Sequence, residues 1–175
     1  MTRTPVPLVK LAFVNTDPMI SAGRKYLEDV IVSTFAGDPD SVSYGERLST
    51  ASAELLDNAQ KFSPEASLIA VEVAQSTTRL RLRVTNSLRD DPSQVLACVR
   101  SEVESVWSEP DARAAFRKRV KISLADPEAK AMLGYAKVRM ETGAQIRARI
   151  VPGSRLQVTL WFSRRGSRLP FVDSP

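Results

Sequence analysis

The stretch Glu54–Pro64, ELLDNAQKFSP, places Glu54, Asp57, Asn58 and Lys61 within three helical turns. Glu54 and Asn58 stand at i and i+4, so a helix puts them on one face. An Asn side-chain carbonyl is a neutral oxygen ligand that suits Mg²⁺, an ion that keeps several waters and binds phosphates. Lys61, about one turn further along, brings a positive charge that can meet a phosphate oxygen. The same pattern also describes an amphipathic helix with Glu and Lys outside and Leu55, Leu56 and Ala59 inside. Ser63-Pro64 closes it, because a proline disfavours helix at the residue before it.

Composition removes several other chemistries. The chain has 175 residues and no histidine. No Ser-His-Asp or Cys-His nucleophile can form, no His-ligated zinc, and no phosphohistidine on this chain. The single Cys98 cannot make an intramolecular disulfide and fits a reducing, cytoplasmic compartment. No apolar run approaches the roughly 18 residues a membrane span needs. MTRTPVPLVK has no apolar signal core, so no secretion signal is expected. The formal net charge of +5 favours an acidic partner or a nucleotide without establishing either.

The elements that must position Glu54–Pro64 follow from periodicity and punctuation. LVKLAFVN reads as a strand, and DPMISAGRKYLEDVIVSTFAG as a helix stopped by Gly37. The next helix carries Leu48, Ala51, Leu55, Leu56 and Ala59 as its core stripe. SLIAVEVAQ and TRLRLRVTN read as a hairpin across Ser76-Thr77, the second strand alternating Leu80, Leu82, Val84 with Arg79, Arg81, Arg83. A helix with Val95, Val99, Val103 and Val106 follows, then a short basic helix, DARAAFRKRVK. Asp126-Pro127 reads as the start of a helix that ends at Gly143. AQIRARIV and RLQVTLWF, joined at Pro152-Gly153, are the last strands. This order predicts an α+β two-layer sandwich: a mixed, mostly antiparallel sheet with helices on one face. Residues 1–7 are expected to be a flexible start, 8–162 one domain, and 163–175 a flexible basic tail.

With these elements in place, Glu54, Asn58, Ala59, Lys61, Phe62 and Ser63 resemble the N-box of the GHKL, or histidine-kinase-like, ATPase superfamily. The resemblance covers roughly residues 8 to 162, and the layout is most similar to the anti-sigma factor kinases. It implies a Bergerat-like fold and ATP with Mg²⁺ as cofactors. It further implies Asn58 as the Mg²⁺ ligand, Glu54 as the catalytic base, and Asp57 and Lys61 beside the phosphates. Asn86 stands where the family's adenine-binding Asp would be, with Ser87 and Leu88 in place of permissive glycines. Gly134 alone remains of a phosphate-cradling Gly-x-Gly, Met132 replacing the first. If the helix starts at Asp126, Gly134 lies mid-helix and makes a packing contact rather than a cradle. The family's Gly-Thr before the last strand is replaced by GSRLQV, and the helical segment 91–126 stands where a lid would close. The profile is that of a degenerate member: a regulatory signalling protein acting through a protein partner, with ATP/Mg²⁺ or with neither. Any retained kinase activity would be directed at a Ser or Thr of the partner.

The sheet supplies a second candidate. Helices cover one face, so Arg79, Arg81, Arg83, Arg147 and Arg149 share the other, with Glu72 partly neutralising them. That face is a docking surface for an acidic protein, or a solvated face that resists sheet-to-sheet association. Arg113, Arg117, Lys118, Arg119 and Lys121 form another basic cluster. Nucleic acid is disfavoured, since no aromatics alternate with these charges. A homodimer is compatible with the sequence, and so is a scaffold module that uses no nucleotide.

Overall fold

The computed structural model describes residues 6–36, 39–76, 79–126 and 133–163. Its elements are β1 (Val6–Val14), α1 (Asp17–Phe35), α2 (Pro39–Phe62), β2 (Leu68–Gln75), β3 (Arg79–Ser87), α3 (Pro92–Trp107), α4 (Ala112–Ala125), α5 (Leu133–Thr142), β4 (Gln145–Val151) and β5 (Arg155–Ser163). The five strands form one sheet in the order β1-β2-β3-β5-β4. Every neighbouring pair is antiparallel, in keeping with the expected two-layer sandwich on a mostly antiparallel sheet. The physical reason is connectivity: β2–β3 and β4–β5 are hairpins, and the longer connections return strands to positions that still oppose their neighbours.

The core lies between the inner sheet face and the helices. Ile69, Val71 and Val73 of β2, Leu80, Leu82 and Val84 of β3, and Leu156, Val158 and Leu160 of β5 are all buried. They meet the α2 stripe of Leu48, Ala51, Leu55, Leu56 and Ala59, as the spacing predicts. From α3, Val95, Val99 and Val103 join the same core. On α1, Gly23 allows a close approach to the sheet: a Cβ there would stand 2.8 Å from the Phe13 ring.

Two boundaries differ from expectation. β1 begins at Val6, so Val6 and Pro7 belong to the sheet. The basic helix α4 runs on past Lys121 to Ala125, and Asp126 closes it, its backbone N–H bonding the Ile122 carbonyl. Pro127, Met132 and the rest of 127–132 lie outside the described residues, as do the hairpin residue Thr77 and the sequence-predicted basic tail from residue 164 on. Gly143 takes φ +63° just past α5 and bonds the Arg139 carbonyl, as a glycine helix stop does.

Candidate functional site

The outward face of α2 carries Glu54 and Asn58 next to α5. Gly134 is the point of contact: a Cβ there would lie 2.9 Å from Glu54 Oε2 and 3.5 Å from Asn58 Nδ2. Glycine is what lets the two helices come this close. One turn on, Lys137 Nζ lies 2.7 Å from Glu54 Oε1. The hydrogen bond to Glu54 raises the Lys137 pKa, burial opposes it, and the charges of Glu54 and Glu141 add to the rise. Asn58 Nδ2 is buried and has no hydrogen-bond partner among the described residues.

Asp57 points elsewhere and pairs with Arg24 of α1. Its carboxylate therefore ties α1 to α2 instead of joining Asn58. The Arg24 Nε is buried without a hydrogen-bond partner among the described residues. Lys61 is exposed, its ammonium 5.9 Å from the centroid of the Phe62 ring. A cleft of about 330 Å³ runs between α1 and α2, lined by Arg24, Leu27, Thr50, Ala53 and Lys137 among others. Neither Asn58 nor Asn86 lines it.

Asn86 sits at the far end of the same helix, on β3, and is 2% exposed. Its Nδ2 donates to Ser63 Oγ at 3.0 Å and to the Ser87 carbonyl at 2.9 Å. Ser63 is fully buried and donates to the Ala59 carbonyl at 2.5 Å. Asn15 Nδ2 donates to the carbonyls of Ser63 and Pro64 at 3.3 and 3.0 Å, and Arg89 donates to the Ser63 carbonyl at 3.0 Å. These bonds satisfy carbonyls that the end of α2 would otherwise leave open. The C-terminal half of ELLDNAQKFSP thus locks α2 to β1 and β3.

The structure brings Glu54, Asn58 and Gly134 together and places Asp57, Lys61 and Asn86 apart from them. Sequence reasoning missed Lys137, which a search for residues sharing a face with Gly134 would have found at i+3. It also missed a buried pair in the segment 91–126: Arg119 Nη2 lies 2.9 Å from Glu102 Oε2, and Glu102 is 5% exposed. Burial raises the Glu102 pKa and Arg119 pulls it back. Tyr135 of α5 is buried nearby; desolvation, then the charge of Glu102, pushes its hydroxyl well above the ordinary range.

On the outer sheet face, register sets the arginines in rows. Lys10, Glu72, Arg83, Thr159 and Arg147 lie across the five strands in one row. Ala74, Arg81, Trp161 and Gln145 form the next. Glu72 pairs with Arg81 and, at 3.7 Å, with Arg83. Arg149 Nε donates to Gln157 Oε1 at 2.9 Å, and Gln157 Nε2 to Thr85 Oγ1 at 3.2 Å. The Arg83 pKa is lowered by burial first and by Arg81 next.

No family model matches the chain, and no curated protein matches it in sequence. Among solved structures, a chain in the crystal structure of the SiaB-SiaC complex from Pseudomonas aeruginosa shares the fold. The TM-score is 0.59 at 14% identity, over 90% of this chain and 90% of that one. Such likeness extends over nearly the whole chain and concerns architecture. Among the described residues, no helix is long and apolar enough to cross a membrane.

Proposed function

We propose that this chain is a regulatory signalling protein on a degenerate histidine-kinase-like ATPase scaffold, and that it works by binding a protein partner. The observation that carries this reading is the contact of Gly134 and Lys137 with Glu54 and Asn58. It joins the two helices that the GHKL resemblance pairs across a nucleotide, and it closes the space between them. The solved neighbour belongs to a complex of two proteins, SiaB and SiaC, which supports a partner-binding role by analogy.

The residue types fit ATP and Mg²⁺ better than the geometry does. Asn58 offers an amide oxygen ligand and Lys61 a phosphate contact. In the arrangement described, however, α5 rests on Glu54 and Asn58, and Asn86 is buried against Ser63. A nucleotide requires α5 to leave α2 and the Lys137–Glu54 pair to break. A second reading, of a nucleotide-responsive regulator, rests on the orphaned Asn58 Nδ2, a buried donor that such an opening would expose.

Calorimetric titration with ATP and Mg²⁺ separates the two. The first reading expects no saturable heat with the wild-type chain. Saturable heat that disappears in Asn58→Ala establishes the second. Sustained phosphate release abolished by Glu54→Ala overturns both in favour of an active enzyme.

A further inference from the structure

Among the described residues no helix lies on the outer face of the sheet, and that face carries an unbalanced charge. Among the described residues, Lys10, Arg79, Arg81, Arg83, Arg147, Arg149 and Arg155 share this face with one carboxylate, Glu72. Glu72 is committed to Arg81 and Arg83. Arg79, Arg147 and Arg149 are exposed, and Arg147 and Arg79 make no ion pair among the described residues. Trp161 is partly exposed in the row between Arg81 and Gln145.

Resting on the reading that this chain binds a protein, we infer that the partner docks here. It would present an acidic segment lying across β3, β5 and β4, its carboxylates on Arg147, Arg149 and Arg83 and an apolar side chain on Trp161. Three features select this occupant. Arginine presents a planar fork that pairs a carboxylate through two parallel N–H donors. Arg81, Arg83 and Arg149 are already held by Glu72 and Gln157, so less side-chain freedom is lost on binding. Trp and Arg together are the residue types in which binding energy concentrates at interfaces.

Charge also argues against the other occupants. A second copy packed face to face by a two-fold axis would set arginines against arginines. A nucleic acid backbone tracking the row from Arg147 to Lys10 would bring a phosphate over Glu72, and one tryptophan offers a single stacking platform.

The test uses the full chain without nucleotide, so its outcome is independent of the calorimetry above. A fluorescein-labelled peptide of glutamates interspersed with leucines is titrated by anisotropy, with labelled oligo-dT as the comparison. The expected result is saturable peptide binding that weakens as salt rises and perturbs the Trp161 indole resonance. Arg147→Glu with Arg149→Glu should weaken it by about tenfold or more, since both side chains are exposed and charge reversal turns attraction into repulsion. Lys118→Glu with Lys121→Glu, on α4, controls for net charge and should change the affinity less than about twofold. Equal loss in both double variants overturns the proposal, leaving only a net-charge effect. So does tighter binding of oligo-dT than of peptide at the same salt, or a wild-type dimer that Arg147→Glu dissociates.

Discussion

The helical layer and the outer sheet face are both rich in charge and manage it in opposite ways. Where two helices meet, a cation on one is matched to a carboxylate on the other: Lys137 with Glu54, Arg24 with Asp57, Arg119 with Glu102. Each of these pairs joins two helices, so the charges are consumed in holding the layer together. On the sheet six arginines and Lys10 face one carboxylate, Glu72, among the described residues, and the surplus faces solvent. The difference teaches that the residues which look most like chemistry in the sequence are largely spent on structure. The residues that look merely alternating are the ones left available to a partner.

The sharpest way to break this comparison is Glu102→Ala. Removing one side of a buried pair takes from Arg119 the carboxylate 2.9 Å away, a loss of about 1–3 kcal/mol. Urea unfolding checks it; a loss under about 1 kcal/mol would show that the helical pairs are not structural. The pH dependence gives an independent reading. Burial raises the Glu102 pKa in the folded protein above its ordinary 4.5. The folded state therefore binds the proton more tightly, and this group's contribution to stability rises as pH falls through its folded value toward 4.5. Glu102→Gln should flatten that part of the stability-pH curve.

Asn86→Ala comes next. It removes the donor to Ser63 Oγ and the Ser87 carbonyl in a fully buried setting, at a cost of about 1–3 kcal/mol. Thermal unfolding should show that cost with or without ATP and Mg²⁺. A variant as stable as wild type would detach Asn86 from the α2–β3 lock and return it to the nucleotide reading.

How much of this was legible in the sequence depends on the range of the interaction. The α2 stripe, the Leu80-Leu82-Val84 alternation and the α+β layering follow from periods of 3.6 and 2 residues, which any chain position shows to its near neighbours. The outward arginines were readable for the same reason, since strand alternation assigns a face without knowledge of the partner strand. The fate of Glu54, Asp57 and Asn86 was not. Their partners are Lys137, Arg24 and Ser63, separated from them by 83, 33 and 23 residues, and only the packing of α5, α1 and β3 on α2 brings them together.

Lys137→Met addresses the edge of the helical layer, where the pair with Glu54 is partly open to solvent. The expected cost is small, about 0–1 kcal/mol at neutral pH. Its sign with pH is definite. A lysine raised by its partner contributes stability that is present below 10.5 and is lost as pH rises through the folded value. Wild type and Lys137→Met should therefore converge in stability under strongly alkaline conditions and differ most below 10.5. The same variant sharpens the nucleotide question, because it removes the charge that holds Glu54 without touching Asn58.

The smallest stability effect is expected on the sheet. Arg147→Glu should move the unfolding free energy by no more than about 0.5 kcal/mol, the usual range for a surface change away from caps and buried networks. The direction at low salt is toward stabilisation. Arg147 lies in the row of Arg83 with Thr159 between them, and Arg83 already has its pKa lowered by burial and by the neighbouring positive charge of Arg81. Reversing a charge in that row relieves repulsion, and added salt screens the relief away. Thermal unfolding at two ionic strengths reads it. A clear destabilisation would place Arg147 among structural residues like those of α2. A neutral or slightly stabilised variant that has lost the acidic peptide would show that this arginine is retained at a small expense in stability, as a residue kept for binding is.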